Sequence, residues 1–247
     1  MTPSDASSAP GGAAIGIIML DTVFPRIPGD IGNPDTFSFP IHYKIVQGAS
    51  PQRVVQEADV RLLEPFKEAA RSLEKQGVKA IATSCGFLAI FHRELADAVD
   101  IPVFSSSLLQ VHLAHAAINR RRKVGVLTAR ALSLTERHFR GVGVQDIPMV
   151  VMGMEDAEEF TGVFIEGKAS LDKEKVRKEM VRAAEKLAKS HPEIGALVLE
   201  CTNMPPYAKA VQEVLKVPVF DVVTMIRHVH ASLEQQDFKS PRHGPAD

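Results

Sequence analysis

The chain has 247 residues, 45% of them hydrophobic, and a formal net charge of −1 from 29 Lys+Arg against 30 Asp+Glu. That length supports one large domain or two modest ones, each with its own core. The balanced charge argues against nucleic-acid binding. No apolar run approaches a transmembrane helix, and two cysteines do not make a disulfide framework.

Residues 1–14 are small, polar and Pro/Gly-containing, without the basic and apolar regions of a signal peptide. They are expected to form a disordered leader on a cytoplasmic protein. Ile15-Gly-Ile-Ile-Met-Leu20 is an unbroken apolar run, the pattern of a strand buried on both faces. Ser50-Pro51 then reads as a helix N-cap with proline at the first helical position. Val54, Ala58, Leu62, Phe66, Ala70 and Leu73 step along one helical face, and Gly77 closes it. Pro65, inside that stretch, is expected to kink or split the helix.

Further strands are expected at 79–83, 101–104, 124–127, 148–151, 196–199 and 217–220. The basic run Arg120-Arg121-Arg122-Lys123 falls where a helix ends and a strand begins, so it reads as a solvated helix end. Glu155, Asp156, Glu158 and Glu159 cluster at a helix start, where the dipole favours carboxylates. A second long helix is expected from Leu171 to Ser190, burying Val176, Met180, Ala184 and Leu187. Residues 239–247 read as a disordered tail. The alternation of strand and helix predicts an α/β fold with mainly parallel sheets.

The most informative feature is an internal repeat. Ala80-Ile-Ala-Thr-Ser-Cys85-Gly leads through a helix to Ile101-Pro102-Val-Phe, and Ala196-Leu-Val-Leu-Glu-Cys201-Thr leads to Val217-Pro218-Val-Phe. Cysteine and proline are seventeen residues apart in both copies, and each copy opens on a Gly-containing apolar strand. The chain therefore divides into two pseudo-symmetric three-layer α/β halves, residues 15–120 with Cys85 and residues 121–238 with Cys201. The last helix is free to pack on the first half. The active site is expected in the cleft between them.

Each cysteine follows a strand and precedes a helix. Sites in open α/β sheets form outside the carboxyl ends of strands. The free amides of a helix N-terminus favour a thiolate, so a lowered thiol pKa is expected. A cleft with one thiolate and one thiol suits stereoinversion: the thiolate removes an α-proton from one face and the thiol returns one to the other. Taken singly, each cysteine reads as a small buried hydrophobe; the matched placement points to a functional pair.

Arg26, in the Phe24-Pro-Arg-Ile-Pro-Gly-Asp30 loop, reads either as a bidentate clamp for a substrate carboxylate or as an exposed loop arginine. Arg130 offers the same choice after the second leading strand. His112/His115 and His228/His230 have no third ligand at metal-site spacing, and no GxGxxG follows a strand.

With these motifs the sequence resembles the aspartate/glutamate racemase family along nearly all of its ordered length. The resemblance rests on the first strand, Thr83-Ser-Cys85, the Val124-Gly-Val-Leu-Thr-Ala strand and Glu200-Cys201-Thr-Asn. It implies two pseudo-symmetric domains, no pyridoxal phosphate or metal, commonly a dimer, and Cys85 and Cys201 as the acid–base pair. It also implies substrate contacts from Asp21, Thr22, Ser84, Gly86, Phe87, Thr128, Thr202 and Asn203. The chain departs from many members at Gly86-Phe87, where they carry Asn-Thr, and at Asn203. The expected function is a cofactor-independent racemase or epimerase of a small carboxylated substrate, an acidic amino acid first. The alternatives are a hydantoin racemase, a maleate-type isomerase, an arylmalonate-type decarboxylase or a two-lobed small-molecule binder. No nucleic acid or membrane is expected as a partner.

Overall fold

The apolar runs at Ile15–Leu20 (β1) and Lys123–Thr128 (β5) become inner strands of two separate parallel sheets. The structure is a computed structural model that describes residues 14–235 and 237, so the proposed leader (bar residue 14) and tail lie outside the described residues. The first sheet adds Ile41–Val46 (β2), Ala80–Thr83 (β3) and Val103–Phe104 (β4) in the order β2-β1-β3-β4. The second adds Met149–Gly153 (β6), Ile194–Leu199 (β7) and Val219–Phe220 (β8) in the order β6-β5-β7-β8. The two orders are the same, as the internal repeat requires.

The helices are Leu63–Lys75 (α1), His92–Ala96 (α2), Val111–Ala117 (α3), Glu136–Gly141 (α4), Glu158–Phe164 (α5), Lys173–Ser190 (α6), Ala208–Leu215 (α7) and Val222–Leu233 (α8). Alternation along β1 gives the first sheet two apolar faces. Ile18 and Leu20 meet Phe66, Ala70 and Leu73 of α1. Ile15, Ile17 and Met19 meet Val222, Val223, Ile226 and Val229 of α8. Burying Phe66 or Leu73 contributes about 1.5–3 kcal/mol each. On the second sheet, α6 buries Val176, Met180, Ala184 and Leu187, the expected stripe, and Asp172 caps it by accepting from the Glu174 and Lys175 amides.

Two helices cross over. α3 follows the first sheet in sequence but packs on β5 and β7, while α8 follows the second sheet and packs on the first. Ser107 reinforces this junction by donating to the Leu199 carbonyl at 2.7 Å.

Three expectations change. The strand β2 was not anticipated: Ile41-His-Tyr-Lys-Ile-Val is an edge strand with polar residues interleaved, unlike the fully buried runs. The helix expected from Pro51 to Gly77 breaks at Ala58, not at Pro65. A π-helical turn at Gln52–Gln56 ends there, and Ala58 takes φ 46. Asp59 then caps a new turn and gathers Arg53 (2.9 Å) and Arg61 (2.8 Å). Pro65 lies in the first turn of α1, where a missing N–H costs nothing. The acidic cluster does more than complement a dipole: Glu159 is buried, pairs with Lys168 at 2.7 Å and accepts from the Asp172 amide at 2.9 Å.

A non-glycine residue in the left-handed region costs about 1–2 kcal/mol. Ala58→Gly should therefore match or exceed the parent in denaturant unfolding, and Ala58→Val, β-branched at a positive φ, should lose about 1 kcal/mol or more. A valine variant as stable as the parent would show that the backbone there relaxes without cost.

Candidate active site

The carboxyl ends of β3 and β7 carry the two cysteine turns. After β3, the Leu20 amide donates to Ser84 Oγ at 2.8 Å and Thr83 Oγ1 donates to the Ser105 carbonyl at 2.6 Å, fixing the turn between neighbouring strands. Cys85 then opens the 3-10 turn Gly86–Phe91. After β7, Glu200, Cys201, Thr202 and Asn203 form the equivalent turn. Thr202 Oγ1 donates to the Ser84 carbonyl at 2.6 Å, joining one cysteine turn to the other across the junction of the sheets.

Between the turns lies a narrow cleft. Both cysteines line it, together with Ser84, Gly86 and Phe87 from the first turn and Thr202 and Asn203 from the second. The loop after β1 adds Thr22 and Arg26. The remaining sequence candidates lie apart. Asp21 is exposed and accepts from the Gly48 amide at 3.0 Å. Thr128 is buried and donates to Glu200 Oε2 at 2.7 Å. Arg130 is outside the cleft wall, with Nε 3.4 Å from Ser133 Oγ.

Arg26 is mostly buried, which removes the reading of an exposed loop arginine. Its guanidinium pairs with Asp30 at 2.9 Å, donates to Thr22 Oγ1 at 2.8 Å and covers the Phe24 ring at 4.3 Å. Asp30 also accepts from Asn203 Nδ2 at 2.7 Å, and the Cys201 thiol donates to Asn203 Oδ1 at 3.6 Å. A polar chain thus runs from Arg26 to Cys201. Beside this polar chain the wall is apolar, with Phe24, under Arg26, edge-on to Phe164 at 5.1 Å.

Glu200 is fully buried and also lines the cleft. Burial raises its carboxyl to about 7, against the lowering effect of the Thr128 bond. Its Oε1 has no hydrogen-bond partner. A Cβ at residue 86 would collide with this carboxyl group and with the Glu200 carbonyl, so glycine is required at 86 by close approach.

The expected lowering of the thiols is overturned. Burial raises the Cys85 pKa first, and the Glu200 charge adds to it; amide hydrogen bonds from Phe87 and Leu88 and the Arg26 charge oppose but do not prevail. Cys201 is raised well above its ordinary value by the same two causes, opposed by the Asn203 amide. The amide donors are where the strand-to-helix placement predicts them, but the loss of water outweighs them.

Sequence reading missed Glu200, Asp30, Phe24 and Phe164, and of the aromatic wall named only Phe87. Glu200 is adjacent to Cys201, and Asp30 is four residues from Arg26, so both were within reach of a local reading. Phe164 carried no such signal, because it arrives from α5 of the other half. Among the described residues, no three His, Cys, Asp or Glu side chains gather as a metal site. His230 instead stacks on Phe39 at 3.8 Å.

The family model for Asp/Glu/Hydantoin racemase matches residues 47–228. The chain belongs to that family. Among curated relatives, a dimethylsulfoniopropionate lyase of Durusdinium sp. clade D is 33% identical over 219 residues, covering 85% of this chain and 72% of that one. Dimethylsulfoniopropionate lyase 3 of Emiliania huxleyi (strain CCMP1516) is 30% identical over 242 residues, covering 94% of this chain but only 61% of the relative. Among solved structures, allantoin racemase from Klebsiella pneumoniae aligns with a TM-score of 0.58 at 16% identity over 94% of this chain and 97% of that one. Unliganded arylmalonate decarboxylase aligns with a TM-score of 0.56 at 15% identity over 93% and 96%. These two show the shared fold.

Two outcomes follow from the Gly86–Glu200 contact. Gly86→Ala should lose about 1–3 kcal/mol, the usual cost of overpacking, read by denaturant unfolding. Glu200 releases its proton near 4.5 when unfolded and about 7 when folded. The folded state therefore holds more protons between those values, and stability falls as pH rises through that window, by on the order of 3 kcal/mol. Glu200→Gln should lack this part of the fall and be more stable than the parent at pH 8; an unchanged pH slope would refute the assignment.

Proposed function

We propose that this chain removes a proton from the carbon next to a carboxylate with Cys85 as the base, and that its reaction is the β-elimination of dimethylsulfoniopropionate. The observation that carries the first part is the meeting of Cys85, Cys201 and Arg26 in one cleft walled by aromatic rings. Elimination is supported over racemisation by relatives named as dimethylsulfoniopropionate lyases at 30–33% identity over most of this chain.

The substrate carboxylate pairs with Arg26, whose fork geometry suits it. The Cys85 thiolate takes the α-proton, the electron pair forms the Cα–Cβ double bond, and the Cβ–S bond breaks. Dimethyl sulfide leaves neutral, acrylate remains, and the proton passes from the thiol to solvent. Cys85 is the better base because two amides and Arg26 favour its thiolate, whereas one amide favours that of Cys201 and the charges of Cys85 and Asp30 oppose it. Burial and the Glu200 charge hold both thiols protonated. A substrate bearing a sulfonium brings a positive charge that lowers the cost of forming the thiolate in the reacting complex.

The matched placement of the two cysteines favours a second reading, two-base inversion of an acidic amino acid. Proton NMR in D₂O separates the two. With dimethylsulfoniopropionate, the expected result is its replacement by dimethyl sulfide and acrylate. Cys85→Ala should lower that rate by about 10²–10⁴, the usual worth of a positioned base, and Cys201→Ala far less. Loss of the α-proton signal of aspartate or glutamate, abolished equally in both variants, would replace elimination by racemisation.

A further inference from the structure

The elimination as written leaves Glu200 unused, although it is the ionisable group in the cleft wall with an unsatisfied oxygen. Arg26 and Asp30 neutralise one another at 2.9 Å, and Asp30 is further held by Asn203 and by the Gly32 amide at 2.8 Å. Glu200 has Oε2 held by Thr128 and Oε1 buried against Gly86 with no donor. A buried carboxylate oxygen without a partner is costly, and the cost is removed by a cation brought into the site. The Glu200 charge acts on both Cys85 and Cys201, so it lies within electrostatic reach of whatever binds between them.

We propose that Glu200 is the counter-ion for a cationic substituent on the β-carbon of the substrate, set opposite the Arg26 end that takes the carboxylate. This rests on the elimination reading and names what selects its substrate. A sulfonium has no N–H or O–H to donate, so it is recognised by charge and by aromatic faces, not by directed hydrogen bonds. The cleft has that composition: Glu200 as the anion, and the rings of Phe87 and Phe164 in the wall, while Phe24 lies under Arg26 at the carboxylate end. An α-ammonium group would need several acceptors, and the remaining carboxylate, Asp30, is already committed to Arg26, Asn203 and Gly32. Residue 86 explains how the device fits. With glycine at 86, the Glu200 carboxyl group occupies the space that a side chain there would fill.

The test uses two probes of equal shape that differ in one charge: 3-(trimethylammonio)propanoate and 4,4-dimethylpentanoate. Calorimetric titration of the full chain at pH 6 and pH 8 gives the ratio of their affinities. The groups that touch Glu200 or share its cleft are the Thr128 hydroxyl, the thiols of Cys85 and Cys201, which burial keeps protonated over this range, and Arg26, whose charge is paired with Asp30. The preference for the cationic probe should therefore rise about tenfold from pH 6 to pH 8, as the ionised fraction of a group titrating near 7 does. In Glu200→Gln the preference should drop and become independent of pH, with affinity for the neutral probe retained. A pH-independent preference in the parent, or an unchanged preference in the variant, overturns the proposal. The parent measurement decides it even if the variant does not fold. Release of dimethyl sulfide by the parent is scored separately, so failure of the elimination reading is distinguishable from failure of the counter-ion.

Discussion

The close approach of the two cysteine turns governs the rest of the structure. Thr202 donates to the Ser84 carbonyl at 2.6 Å, and the Glu200 carboxyl group lies so near residue 86 that no side chain fits there. From that contact follow a shared cleft, the burial of Glu200 and Cys85, the partial burial of Cys201, and the requirement for glycine after Cys85. Loosening it would change the spacing of the cysteines and their ionisation together, because both depend on how tightly the turns are pressed.

Burial gives the site an economy of charge. The one permanent cation in the cleft wall, Arg26, is already matched by Asp30, so the cleft tolerates little further charge, and the thiols and Glu200 are pushed toward their neutral forms. The low dielectric that suppresses the thiolate also strengthens the effect of a nearby cation, so under the proposed elimination a cationic substrate lowers the cost of forming its own base.

The crossover of α3 and α8 ties this chemistry to the stability of the whole molecule. Each sheet borrows a covering helix from the other half, and Ser107, just before α3, donates to Leu199 at the end of β7, one residue before Glu200. Neither half buries its sheet on both faces without the other. The alignment of the two cysteine turns is therefore held by packing over both cores as well as by the few hydrogen bonds at the junction.

Local pattern alone determined much of this protein. Unbroken apolar runs marked seven of the strands, because a strand buried on both faces leaves no room for polar residues, and the seventeen-residue spacing revealed the duplication that brings Cys85 and Cys201 to equivalent strand ends. The strand β2 escaped because His42, Tyr43 and Lys44 interrupt its apolar run, which the other edge strands keep, and the helix break moved to Ala58 because Asp59 recruits two arginines that propensity does not weigh. Only the tertiary structure decided the ionisation of the site. The backbone donors around each sulfur are local and were legible, but the burial that reverses their effect, the Asn203–Asp30 link and the Phe164 wall come from residues far apart in the chain. Desolvation is a property of everything packed around a group, so no motif, however well placed, could give its sign.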